Sequence, residues 1–333
     1  MGQLRTLGGQ LLCEVLDRFV GTSGATTVIA PHMQSGLALN ISVGLALLCY
    51  GLWGIFDKKA LEQASSREVA LTLYLARLIN LPTTTAILFS LCPGWHLSWS
   101  LMFWAFCASA SAFTSTLAYT VAMSMCEASY VLGVTASYSI VFQFLAMQWL
   151  GEAVVPERLI GAAIITLGVA VIGASKNRTQ PFPKGRKLAI AIISLVIATF
   201  FWGLSGIFDK RAISIAHPFE LAFAQGLCDL ILIAGLFCYH FRTAEDRPHL
   251  TNPQTWKFCS LSAAAWLIGN YSYFFAFAIG SASYVIAITS AYPLVMYLFA
   301  LLLLKESMNR QRLVGILLVT IGTIFVQYTQ SSI

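Results

Sequence analysis

The sequence predicts an all-α membrane protein of ten transmembrane helices, built as two inverted five-helix repeats. Three observations carry that prediction. Hydrophobic residues make up 58% of the chain and charged ones 10%, against roughly 45–50% and about 25% in a soluble domain. Apolar runs of about 20 residues recur, the length that crosses a bilayer, and lipid accepts only backbones that satisfy their own hydrogen bonds. The third is a duplication: Gly54-Ile55-Phe56-Asp57-Lys58-Lys59-Ala60 returns as Gly206-Ile207-Phe208-Asp209-Lys210-Arg211-Ala212, 152 residues later.

Residues 1–37 form an amino-terminal tail with Leu4, Leu7, Leu11, Val15 and Phe19 at spacings of three and four. That pattern fits an amphipathic helix on the membrane surface, or a loosely ordered tail. Glu14, Asp17 and Arg18 interrupt any apolar core of a cleaved signal. Ten spans follow at 38–56, 69–90, 98–121, 128–150, 159–175, 188–207, 220–240, 258–279, 284–304 and 313–329. The links Met123 to Glu127 and Gly280 to Ser283 are short enough to make their neighbours antiparallel hairpins. A basic, Pro-containing linker at 176–187 divides the first repeat, 38–175, from the second, 188–329, and residues 330–333 are a tail.

Later in each copy the repeat runs without a gap at an offset of 154: 15 of 45 residues are identical over 128–172. The matches include Tyr130 with Tyr284, Thr135 with Thr289, Tyr138 with Tyr292, Glu152 with Glu306, Arg158 with Arg312 and Gly161 with Gly315. Shared apolar composition does not place Tyr, Glu, Arg and Gly in register. Because five is odd, the second copy enters the membrane in the opposite sense, the arrangement of secondary transporters whose site lies between the halves.

Trp202-Gly203 followed by Lys210, and Gly51 followed by Lys58, resemble the opening helix of the drug/metabolite transporter superfamily, in its EamA branch. Ala128-Ser129-Tyr130 through Leu150-Gly151-Glu152, then Arg158-Leu159-Ile160-Gly161 and Leu167-Gly168, is similar to the family's fourth and fifth helices. Leu304-Lys305-Glu306 and Arg312 to Gly315 repeat that similarity in the second copy. The resemblance covers about 38–329. It implies a ten-helix basket with a central cavity lined by the first, third, fourth, sixth, eighth and ninth helices, the second and seventh being peripheral. Asp57 and Asp209 before the lysines, and Tyr50 in place of Trp, depart from the common pattern.

The candidate gating or coupling residues are Asp57, Lys58, Asp209 and Lys210, with Arg77 and Asp229. Inversion would place the two Asp-Lys pairs at opposite membrane faces as matching gates; interfacial snorkelling of the lysines is the plainer explanation. Arg77 and Asp229 are the charges deepest within the spans and occupy equivalent positions at the offset of 152. Such charges turn toward protein or water, for substrate, proton coupling or gating, or for a structural salt bridge.

Tyr138, Tyr292, Gln143, Asn270 and Tyr273, with Trp53 and Trp202, are the candidate substrate-binding residues. Tyrosine offers a ring and a hydroxyl to a small polar solute, whereas Tyr130 and Tyr284 near span ends fit an interfacial belt. Helix-to-helix hydrogen bonding is the competing role for Gln143 and Asn270. Pro293 is expected to kink the ninth helix. Glu152 with Arg158, and Glu306 with Arg312, fit local structural clasps.

These features together predict a secondary carrier, exporter or exchanger, of small polar organic metabolites by alternating access, amino acids being the first substrate class by resemblance alone. A non-transporting receptor or scaffold on the same fold is the alternative. No nucleotide-binding P-loop supports an ATP-driven pump, and the five histidines are dispersed with no H-E-x-x-H motif, so no enzyme, metal or cofactor is expected. The expected partners are a small-molecule substrate, membrane lipid and a coupling proton, without nucleic acid, in a monomer or homodimer. A cell membrane, or else an organelle membrane, is the expected location. Fourteen Lys and Arg fall on the face opposite the termini and five on the terminal face. The positive-inside rule then makes the termini non-cytoplasmic, against the family expectation.

Overall fold

A computed structural model describes residues 31–92, 94–126, 131, 134–151, 155–173, 183–243, 250–304 and 310–328. Its helices are α1 (Pro31–Leu61), α2 (Ser66–Arg77), α3 (Asn80–Leu91), α4 (Trp99–Met125), α5 (Tyr138–Leu145), α6 (Pro156–Gly173), α7 (Arg186–Ile213), α8 (Pro218–Thr243), α9 (Pro253–Ile279), α10 (Ala282–Thr289), α11 (Tyr292–Leu304) and α12 (Arg310–Tyr328). A π-helical segment, Ala146–Leu150, continues α5. Residues 1–30, the linker as far as 182, Tyr130 and the clasp carboxylates Glu152 and Glu306 fall outside the described residues.

Among the described residues, six stretches are long and apolar enough to cross a membrane: Gly36–Leu61, Ser66–Ser90, Trp99–Met125, Arg186–Ile213, Pro218–His240 and Ala282–Phe299. Tyr138–Leu150 and Leu313–Val326 are shorter apolar helices. Large apolar side chains point outward, as on the α7 face of Ile192, Ile193, Val196 and Phe200. Polar ones such as Asp57, Arg77, Asn80 and Asp209 are buried. This arrangement suits hydrocarbon outside and polar contacts within.

The expected second span is present as Ser66–Ser90, with a two-residue turn dividing it into α2 and α3. Pro82 has no amide to give the Leu78 carbonyl and its ring crowds that carbonyl, so the chain breaks at Leu78 and Ile79, between α2 and α3. The ninth span likewise divides, at Ser290 and Ala291, where Pro293 cannot donate to Thr289. Proline is not the whole cause. The fourth span breaks at the equivalent place with Ser139 in the proline position. In both breaks hydroxyls bond back to the preceding turn: Ser137 Oγ to the Val134 carbonyl at 2.5 Å, Ser139 Oγ to Ala136 at 3.2 Å, and Ser290 Oγ to Ala287 at 2.7 Å.

The helices of the two halves pack in exchange-related pairs. α1 lies against α9 and α11, while α7 lies against α4 and α5, and α6 pairs with α12. Missing side chains permit these approaches. A Cβ on Gly51 would meet Val295 Cγ1 at 2.6 Å, and one on Gly203, the equivalent residue, would meet Val141 Cγ1 at 3.0 Å. Val141 and Val295 are themselves equivalent at the offset of 154. Gly54 against Met296, and Gly206 against Phe142, repeat the relation. Between α6 and α12, a Cβ on Gly168 would lie 2.7 Å from the Gly315 carbonyl oxygen, and one on Gly322 would lie 2.8 Å from that of Gly161.

Local signals set the helix starts. Ser65 and Glu68 form a capping box on α2, Ser98 Oγ accepts from the Leu101 amide of α4, and Asn252 caps α9 before Pro253. Glu220 in the first turn of α8 accepts from the amides of His217 and, across the chain, His96. At the other end of α9, Lys210 Nζ donates to the carbonyls of Phe277 at 2.6 Å and Gly280 at 2.9 Å, a cation satisfying a helix C-terminus.

Substituting Gly168→Ala or Gly322→Ala should destabilise the detergent-solubilised protein by about 1–3 kcal/mol, because backbone has to move away from the new methyl. Gly235→Ala, whose Cβ meets nothing within 4 Å, should leave the unfolding temperature unchanged. Equal unfolding temperatures for all three variants would contradict the close α6–α12 contact.

Candidate functional site

Helical spacing brings a set of large and polar side chains to one cavity. Tyr50 and Trp53 of α1, Trp202, Ser205 and Asp209 of α7, and Trp266, Asn270 and Tyr273 of α9 each follow the three-and-four spacing of one helix face. Ser109, Ala112, Phe113 and Thr116 do the same on α4, while Tyr138 and Tyr292 enter from the first residues of α5 and α11. The cavity encloses about 120 Å³. That volume is well below the roughly 300–1,000 Å³ of drug-sized sites and fits a small solute.

The tyrosines at the helix breaks are crossed. Thr135 Oγ1 and Tyr292 Oη lie 3.2 Å apart, and Tyr138 Oη and Thr289 Oγ1 3.4 Å apart. Each bond is the repeat counterpart of the other, so one half's broken helix is fixed by the other's. Aromatic rings join at the centre: Trp53 and Trp202 meet edge to face at 6.1 Å, and Tyr119 packs on both at 6.0 and 5.2 Å. Tyr50 stands 6.0 Å from Trp53 and 6.2 Å from Tyr273.

Charge enters this aromatic space from the second and seventh spans. Arg77, Tyr74, Gln225 and Asp229 all line the cavity, which corrects the expectation that these spans are peripheral. The cause is the cost of charge in lipid: Arg77 and Asp229 turn inward, carrying with them Tyr74 and Gln225, three and four residues before. The Arg77 guanidinium carbon lies 4.8 Å from the Trp266 ring centre and 5.5 Å from those of Trp53 and Tyr74. Its Nε and Nη2 atoms are buried without a hydrogen-bond partner. Neither a salt bridge nor a hydrogen bond joins Arg77 to Asp229 among the described residues.

The two equivalent aspartates differ. Asp209 lines the cavity, with Oδ1 accepting from Gln225 Nε2 at 2.7 Å. Asp57 is buried one turn beyond Trp53 and outside the cavity lining, and its Oδ1 accepts from Ser262 Oγ at 2.6 Å. Lys210 is engaged at the end of α9, as described, and neither lysine is part of the lining.

Of the candidate binding residues, Tyr138, Tyr292, Asn270, Tyr273, Trp53 and Trp202 line the cavity. Gln143 does not: its Nε2 donates to the Ser283 carbonyl at 2.9 Å and ties α5 to α10. Tyr284 belongs to no interfacial belt, being buried with its hydroxyl donating to Asn40 Oδ1 at 2.8 Å. Arg158 reaches across the halves, its Nη1 donating to Ser281 Oγ at 2.8 Å. Tyr50, Tyr74, Ser109, Thr116, Ser205, Gln225 and Trp266 also line the cavity and are not among the residues expected there from sequence. For all of these but Ser109 and Thr116, the three-or-four-residue spacing from Trp53, Arg77, Asp209, Asp229 or Asn270 is the available signal.

An apolar exterior around an aromatic, charged interior defines a multi-pass integral membrane protein with an internal cavity lined from both sequence copies. Residues 189–328, from α7 to α12, match the model of the EamA-like transporter family. Over that stretch the chain is similar to the EamA branch of the drug/metabolite transporter superfamily. No curated protein matches the sequence. Among solved structures, one described only as "Crystal structure of protein" is similar with a TM-score of 0.67, covering 87% of this chain and 99% of its own at 14% identity. At that identity the likeness concerns the fold.

Replacing Thr135 or Thr289 by Val removes the hydroxyl opposite a buried tyrosine and keeps the side-chain shape. Each variant should lose about 1–3 kcal/mol, the cost of a buried polar group left unmatched. Thermal unfolding of the two single variants and the double variant checks this. No loss in any of them would remove the crossed bonds from the account of the fold.

Proposed function

We propose that this protein is a secondary carrier, exporting or exchanging a small polar organic metabolite by alternating access, and that its fold is a pair of inverted five-helix repeats. The observation that carries the reading is the cavity's composition. Its lining draws equivalent positions from both halves: Tyr50 and Trp202, Trp53 and Ser205, Arg77 and Asp229, Tyr138 and Tyr292. A site shared between exchange-related halves is what rocking one half against the other would expose in turn to each side. The reciprocal Thr–Tyr bonds and glycine contacts support the same relation, since each has its counterpart with the halves exchanged. The EamA match over the second half supports transport as the class of activity.

In this reading the substrate occupies the cavity, amino acids being the first class to try. Asp209 and Asp229 are the groups in the lining fit to carry a coupling proton, with Asp57 behind them. The lysines beside the buried aspartates close the ends of the first helices. The termini face away from the cytoplasm, following the excess of positive charge on the opposite face.

Reconstitution into liposomes with labelled amino acids, sugars, nucleosides and organic cations tests the carrier. Counterflow of at least one class is expected, and counterflow of none with folded protein would favour a receptor or scaffold. Tyr138→Ala and Tyr292→Ala should each raise the half-saturating concentration of the transported compound at least tenfold, the order expected for losing about 1.4 kcal/mol of binding. Unchanged kinetics in both variants would remove the tyrosines from the site.

A further inference from the structure

Arg77 is a buried guanidinium with an unused edge. Its side chain is 7% exposed and lines the cavity. Trp53, Tyr74 and Trp266 surround the cation with ring faces, which attract its charge but accept no in-plane hydrogen bonds from Nε or Nη2. Those two nitrogens form the side fork of arginine, the edge whose parallel N–H bonds match the two oxygens of a carboxylate. Leaving such charged donors buried and unmade is costly.

The compensating charges are near but not in contact. Asp57 and Asp229 both interact electrostatically with Arg77, and Asp229 does so with Asp209. Asp57 is committed to Ser262 outside the lining, whereas Asp229 and Asp209 line the cavity with Gln225 and Ser205. The cavity therefore has a basic side chain on α2 and acidic ones on α7 and α8. Tyr50 and Tyr273, which also line the cavity, both interact with Asp209.

We propose that the cavity recognises both ends of a small zwitterion, its carboxylate on the Nε–Nη2 edge of Arg77 and its cationic nitrogen between Asp229 and Asp209. This rests on the carrier reading and specifies the chemistry of its substrate. Repeat-equivalent positions 77 and 229 then read the opposite ends of one molecule. The two nitrogens of Arg77 are enclosed in the present state and meet the carboxylate as the side chain turns into the cavity it already lines. A monocarboxylate without the nitrogen would leave the acidic half uncompensated, and a monoamine would leave the arginine edge unmade.

The test is competition in counterflow by reconstituted full-length protein, within two series of matched skeleton. One is L-alanine, propionate and ethylamine; the other is L-phenylalanine, 3-phenylpropionate and phenethylamine. In at least one series the amino acid should compete at a concentration about tenfold or more below either single-charge relative, the order expected for losing a hydrogen bond to a charged group. Asp229→Asn should bring the monocarboxylate level with the amino acid. Arg77→Gln should bring the amine level. Should Arg77→Gln fail to fold, Arg77→Lys keeps the charge and loses the fork, and it should reduce the amino acid's advantage over the amine several-fold. Single-charge compounds competing as well as the amino acids in the unaltered protein, or variants that weaken all three members of a series equally, would overturn the proposal. Transport of a sugar, nucleoside or cation that no amino acid inhibits overturns it while the carrier stands. Absence of any counterflow overturns both.

Discussion

The first helix of each half reaches the other half because Gly51, Gly54, Gly203 and Gly206 present no side chain there. Val295 and Met296 fill the space beside α1, and Val141 and Phe142 fill that beside α7. Close packing of this kind gives van der Waals attraction where no hydrophobic difference separates helix from lipid. It also sets the depth at which α5 and α11 begin. Tyr138 and Tyr292 are the first residues of those helices, so the same contacts deliver both rings to the cavity and bring each hydroxyl to the other half's threonine.

Broken helices are the second element of this arrangement. A helix that stops and restarts frees backbone groups, which lipid would penalise, so the breaks lie inside and are repaired by Ser and Thr hydroxyls. The break after Arg77 works differently. Pro82 forces it, and Asn80 then ties α3 to the rest, donating to the Ala222 carbonyl and accepting from Tyr271. Arg77 thereby ends its helix among aromatic rings at the side of the cavity rather than continuing along a regular span.

Much of this was legible in the sequence, and the limits have physical causes. Duplication at offsets of 152 and 154 marked Thr135, Tyr138, Thr289 and Tyr292, which bond crosswise, and Gly161 and Gly315, which pack against Gly322 and Gly168. Helical periodicity also contained the lining of α4 and α9, although apolar content hid it. Hydropathy marked one second span where two helices exist, because it averages over the proline that divides them. It could not separate Gln143, which satisfies a neighbouring helix, from Asn270, which lines the cavity. That distinction depends on which face meets which helix. Nor could it assign Asp57 and Asp209 different surroundings, since their heptapeptides are nearly identical and only the partners, Ser262 and Gln225, differ.

Divergence within the duplication matters as much as its retention. Two identical halves would offer the cavity the same group at exchanged positions, and an unsymmetrical solute would have no preferred orientation in it. Tyr50 opposite Trp202 and Trp53 opposite Ser205 already relieve that equivalence in shape. Arg77 opposite Asp229 relieves it in charge. Retained glycines and crossed threonine–tyrosine bonds keep the halves interchangeable as bodies, while the two divergent charges make the space between them polar along one direction. On the proposed reading, a solute with a charge at each end holds one orientation while the packing around it remains nearly symmetric.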